Sequence, residues 1–98
     1  MKTELRVPAG HPALEGHFPG RPIVPAVVLL AEVMAAVESS TSLAADTWTL
    51  SSAKFLAPVM PEMPLTLELT QDAGGTQRFE IRGAQGLVAS GALARGAP

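Results

Sequence analysis

The chain contains no cysteine, only 4% aromatic residues and only 16% charged residues among its 98 positions. Without cysteine there are no disulfides, no thiol nucleophile and no thiolate-held zinc, and a cytoplasmic location is the simplest expectation. Seven basic residues stand against nine acidic ones, for a formal net charge of −2. They form no basic run or stripe, which argues against a surface that tracks nucleic-acid phosphates. The opening residues MKTELRVP lack an apolar core, so no secretory leader is expected. The longest apolar run, from Ala26 to Val37, contains Glu32 and falls short of the roughly 20 residues that span a bilayer. Ser51, Ser52 and Ser90 sit in no Gly-x-Ser-x-Gly elbow, which leaves serine hydrolysis unsupported. The histidines, His11 and His17, have no carboxylate cluster beside them and make a weak zinc signal.

What is present is apolar. Hydrophobic residues make up 47% of the chain and the mean hydropathy is +0.26. Residues 1–98 read as one domain. A domain this small buries a modest fraction of its surface. The apolar surplus therefore predicts a second buried surface, most simply a subunit interface.

Residues 2–7 alternate as a short strand with Leu5 and Val7 on one face, and Pro8 ends it. A long Pro- and Gly-rich loop runs from Pro8 to Pro25; loops of this length in compact domains usually carry function. Residues 26–38 read as a helix that is apolar all round and hence buried all round, followed by a polar connection from Ser39 to Asp46. Strands are predicted at 47–56, 65–71, around Phe79 and Ile81, and at 87–94, with turns at Gly74-Gly75 and Gly83–Gly86. The small residues Ala89, Ser90, Gly91 and Ala92 suit close approach to another backbone. One helix wrapped by one antiparallel sheet is the simplest arrangement, an α+β fold. A single small sheet leaves one side of such a helix uncovered, and a dimer would cover it.

The most informative stretch is "GHFPGRPIVPAVVLLAEVM", residues 16–34. Prolines on either side of Gly20 fix φ and lower the entropy cost of holding the loop that carries His17. A histidine is neutral yet basic near neutral pH, which suits a general base. The residue by itself also fits a structural role, bonded to a backbone carbonyl. After Pro25, Ala26 and Val27 open the helix with unpaired backbone N–H groups, a feature of ordinary helix initiation and also of sites that polarise a carbonyl.

These residues resemble the signature of the hotdog-fold β-hydroxyacyl-acyl carrier protein dehydratases, which reads His-Phe-Pro-Gly-x-Pro, two aliphatics, Pro-Gly, aliphatics, then an acidic residue. "KFLAPVMPEMPLTLEL", residues 54–69, is similar to the family's Lys-Phe and Pro-Val-x-Pro corner. The resemblance implies a hotdog fold: an antiparallel sheet around one long central helix, as a homodimer or paired with a related hotdog subunit. It implies an acyl thioester substrate carried on acyl carrier protein or coenzyme A, and no cofactor or metal. Water would be eliminated to give the trans-2-enoyl thioester of a fatty-acid or polyene-type pathway. His17 would be the base, and Phe18, Gly20, Pro25, Ala26, Val27 and Ala31 would line the substrate slot. Ala26 replaces the family's glycine, and the family's acidic position falls on Ala31. Glu32, one place later, is the candidate acid, although one helical step turns it about 100° away. A subunit without its acid could instead bind acyl chains or complement an active partner, and a hotdog thioesterase would use the same slot. Arg21, Lys54, Arg78 and Arg82 could meet an acidic carrier or a phosphate.

Overall fold

The computed structural model describes residues 1–14, 23–44 and 47–96. Strand β1 (Lys2–Leu5) leads through a 3₁₀ turn (Pro12–Leu14) to helix α1 (Ala26–Thr41), and four strands follow: β2 (Trp48–Phe55), β3 (Leu65–Gln71), β4 (Gln77–Gly83) and β5 (Gly86–Arg95). They form one five-stranded sheet in the order β1-β3-β4-β5-β2, with every neighbouring pair antiparallel. The fold is thus α+β, one helix on one antiparallel sheet.

Alternation decides which face each strand buries. Leu65 of β3 lies opposite Leu5 of β1, Leu67 and Leu69 lie opposite Ile81 and Phe79 of β4, and those lie opposite Ala89 and Gly91 of β5. These side chains, with Leu93, make the sheet half of the core; Val28, Leu29, Val33 and Val37 supply the helix half. The other face carries Thr66, Glu68, Thr70, Arg78, Glu80 and Arg82. Arg78 pairs with Asp72 at 3.7 Å and Arg82 with Glu80 at 3.0 Å. Such exposed pairs contribute about 0–1 kcal/mol each and leave both cations open to a competing anion.

The helix runs three residues past its expected end. Ser40 and Thr41 donate their hydroxyls to the Val37 carbonyl, the Thr41 bond at 2.7 Å, which keeps this polar segment inside the helix. It stops at Ser42, in left-handed backbone with φ 62°, whose N–H donates to the Glu38 carbonyl at 2.8 Å. β1 is shorter than expected. Its ladder ends at the Leu5–Leu65 pair, and the next pairing would set Arg6 against Pro64, which has no N–H to donate.

The helix is apolar nearly all round but is not buried all round in one chain. Val28, Leu29, Val33 and Val37 are buried, whereas Val27, Ala31, Glu32, Ala35 and Glu38 are exposed, Val27 by 70%. One five-stranded sheet covers only one arc of a cylinder. Among the described residues no helix is long and apolar enough to cross a membrane.

Candidate functional site

The chain enters α1 through Ile23, Val24 and Pro25. Val24 is buried, and its N–H donates to the Val59 carbonyl at 2.8 Å, tying the helix entry to the proline-rich corner at 56–64. Pro25 is the N-cap in extended backbone (φ −61°, ψ 146°) and provides no side-chain cap. The first turn closes with the Val28 N–H donating to the Pro25 carbonyl at 3.0 Å. Ala26 and Val27 stand before that bond, where the N–H groups of a helix lack intrahelical acceptors and the positive end of its dipole lies. Ala26 is helical and is not among the residues with positive φ. Alanine therefore fits without strain in the place of the family's glycine.

Beside this helix start is an open groove of about 310 Å³, lined by Ile23, Val24, Ala26 and Leu29 on one side and by Phe55, Leu56, Pro58 and Val59 on the other. Its lining is aliphatic and aromatic, without a charged residue. The groove can take an apolar chain and bring a polar head group to the helix N-terminus. Phe55 is 41% exposed and Leu56 57% exposed, so its outer wall is unfinished in the single chain.

Of the expected substrate-lining residues, Ala26 lines the groove and Pro25 caps the helix beside it. Val27 and Ala31 do not line it; they are exposed on the uncovered arc of α1, one turn apart, in line with Ala35. Glu32 is also exposed and lies on the far rim of that arc, one helical step from Ala31. It is neither a core carboxylate nor part of the groove. His17, Phe18 and Gly20 lie outside the described residues, as does Arg21. The groove's second wall, Phe55 to Val59, lies within the stretch 54–69 that carries the second family motif, and none of its residues is among the expected substrate-lining ones. Its signal is a run of apolar side chains interrupted by prolines where a strand leaves the sheet.

An uncovered apolar band extends from the groove. Leu50, 44% exposed, pairs with Leu93 in the ladder and so lies on the core face of edge strand β2, beyond the cover of α1. With Phe55, Val27, Ala31 and Ala35 it belongs to apolar surface that one chain leaves in water. Among the described residues no three His, Asp or Glu side chains gather closely enough to hold a metal ion.

A single helix across a five-stranded antiparallel sheet in the order β1-β3-β4-β5-β2 is a hotdog-type fold. Residues 1–92 match the ApeI-like family, described as ApeI dehydratase, and the chain belongs to that family. Among solved structures it is similar to the dehydratase heterocomplex ApeI:P from Xenorhabdus doucetiae, with a TM-score of 0.76 and 24% identity over 94% of this chain and 82% of that one. It is also similar to an uncharacterized protein from Erwinia carotovora subsp. atroseptica, with a TM-score of 0.72 and 28% identity over 96% of this chain and 82% of that one. The comparison with curated proteins finds no match.

Proposed function

We propose that the chain is one subunit of a dimeric hydro-lyase that removes water from a β-hydroxyacyl thioester presented on pantetheine, by acyl carrier protein or by coenzyme A. The observation that carries the reading is the apolar groove ending at the open N-terminus of α1. An acyl chain would occupy the groove. The thioester carbonyl would accept hydrogen bonds from the first N–H groups of α1, which stabilise the negative charge that grows on that oxygen. His17 would take the α-proton; the β-carbon–oxygen bond breaks, and an acid protonates the departing hydroxyl as water. The trans-2-enoyl thioester remains.

The uncovered arc of α1 supports a two-chain site, in which the His17 loop of one subunit faces the helix of the other. Ala31 would then face the partner's loop without a carboxylate to offer, and the acid would come from Glu32, from water or from the partner subunit. Loss of a general acid costs about 10²–10⁴ in rate. A second reading follows from Ala31: the chain is an accessory subunit whose active partner contributes the acid. The related ApeI:P assembly is a heterocomplex, which is consistent with unequal subunits.

The test is hydration of crotonyl and longer enoyl thioesters, followed by loss of the conjugated enoyl absorbance. Turnover by the purified protein that disappears in His17→Ala supports the enzyme. An inert homodimer that becomes active only with a related hotdog subunit supports the accessory reading. Release of free thiol without hydration would overturn both in favour of a thioesterase.

A further inference from the structure

Glu62 is held in left-handed backbone, φ 65°, within the proline-rich corner. A residue with a Cβ is rarely found there, and one that persists is held by its surroundings. Here the surroundings are the start of the loop that leads to residues 15–22. The Glu62 N–H donates to the Val7 carbonyl at 2.7 Å, and the Ala9 N–H donates to Glu62 Oε2 at 3.3 Å. Three residues away in the same corner, the Val59 carbonyl accepts from the Val24 N–H at 2.8 Å at the loop's other described end. Val7 and Ala9 before residues 15–22, and Val24 after them, are therefore fastened to one short corner. The fastening is backed by burial of Val7, Leu14, Val24 and Val59. Beyond Ala9, the His11 N–H donates to the Pro8 carbonyl and the Leu14 N–H to the His11 carbonyl, each at 3.0 Å, so the segment from Pro8 to Leu14 is a hydrogen-bonded turn.

We infer that Glu62 is a positioning residue: through its carboxylate and its left-handed backbone it fixes the near end of the loop that carries His17, with Val59 fixing the far end. The inference rests on the proposed dehydratase reading for its catalytic consequence, though not for its structural content. Glycine is the residue the backbone at 62 prefers. If position 62 served only the turn, Glu62→Gly would be neutral or favourable. A positioning role makes Glu62→Gly harmful, because the turn survives while the bond to Ala9 is lost.

The test compares Glu62→Gly, Glu62→Ala and Glu62→Gln by amide hydrogen exchange and by hydration kinetics of an enoyl thioester in the full chain. Exchange at Ala9 and through residues 10–14 is expected to rise about threefold to tenfold in the Gly and Ala variants, the range set by loss of one exposed hydrogen bond. In parallel kcat falls by a similar factor with KM within about twofold. Glu62→Gln, whose amide oxygen still accepts, is expected within about twofold of the parent in both measurements. Unchanged exchange at Ala9 in Glu62→Gly overturns the inference, as does equal damage in Glu62→Gln and Glu62→Ala. If the parent protein hydrates no thioester, the dehydratase reading fails, and the exchange arm still decides whether Glu62 fixes the loop.

Discussion

The ring of Phe79 occupies the space that a side chain at Gly91 would need. The two residues face each other across β4 and β5. A Cβ built on Gly91 would stand 2.5 Å from Phe79 Cε2 and closer still to the carbonyl oxygen of Ser52 on β2. One obstacle is an aromatic ring in the core and the other is backbone, so neither can yield cheaply. The absence of a side chain at 91 allows β2 to approach β5 beside the register shift between Leu50 and Ser52. Gly91→Ala is therefore expected to destabilise the domain by about 2–3 kcal/mol, the upper part of the range for overpacked cores. A chemical-denaturation midpoint measured for the two proteins checks it; a loss below about 0.5 kcal/mol would show that the core relaxes freely around position 91.

At the end of α1 the same reasoning gives the opposite sign. Ser42 terminates the helix at φ 62°, where an L-residue is disfavoured. Ser42→Gly removes that strain, and because glycine also loses more entropy on folding, a net gain of about 0.5–1 kcal/mol is expected. The midpoint of thermal unfolding reads it, at about 4–8 °C per kcal/mol for a domain of this size.

Much of the fold was legible because its signals are local and periodic. β3 begins and ends at the residues its alternation gives, since Leu65, Leu67 and Leu69 alternate with polar residues and the Gly74-Gly75 turn follows. The turn is fixed by Asp72, whose Oδ1 accepts from the Gly74 and Thr76 N–H groups at 2.9 and 3.1 Å. The small residues of β5 announced a close backbone approach, which Gly91 makes with Ser52. The end of α1 was not legible, because Ser39, Ser40 and Thr41 are polar enough to read as a connection, and the bonds from Ser40 and Thr41 back to Val37 exist only in the folded chain. That one side of α1 would stay uncovered was expected from the size of the sheet, but not which residues form it: Val27, Ala31 and Ala35 are as apolar as the buried residues beside them, and only the placement of the sheet decides which face it covers. At the site, the sequence pointed to Ala26 and the helix start, whereas the groove's second wall from Phe55 to Val59 depends on how β2 ends against the helix. Glu62 carries no pattern of its own, and its role follows from a backbone angle.

The apolar band makes the proposed assembly testable through one side chain. Leu50 is exposed on the core face of edge strand β2, and no folded-core contact demands its size. A carboxylate there would leave the single chain intact, because it can remain in water. In an interface it would be buried without a partner, which costs several kcal/mol. Leu50→Glu is expected to weaken self-association or pairing with a related subunit by at least about a hundredfold, roughly 2.7 kcal/mol, with the far-ultraviolet circular dichroism retained. Sedimentation velocity across a concentration series measures it, and an unchanged association constant would exclude this face of β2 from the contact.

Ala31 offers the sharpest test of the chemistry. It lies exposed on the uncovered arc of α1, in line with Val27 and Ala35, and a larger side chain there meets no wall of the chain's own groove. Ala31→Asp and Ala31→Glu should fold normally, since exposed helix positions tolerate either residue at a cost below about 1 kcal/mol. If the partner's His17 loop faces this arc, a carboxylate at 31 supplies the acid that protonates the leaving hydroxyl. The hydration rate is then expected to rise by about 10²-fold or more over the parent homodimer, the lower end of what a general acid contributes. The paired variant Ala31→Asp with Glu32→Gln separates the two candidate acids. Retention of the gain assigns it to position 31, whereas its loss shows that Glu32 is required. A parent protein already turning over at an ordinary enzymatic rate, with no gain from either substitution at 31, would mean that the acid is in place without it and that the accessory-subunit reading is wrong.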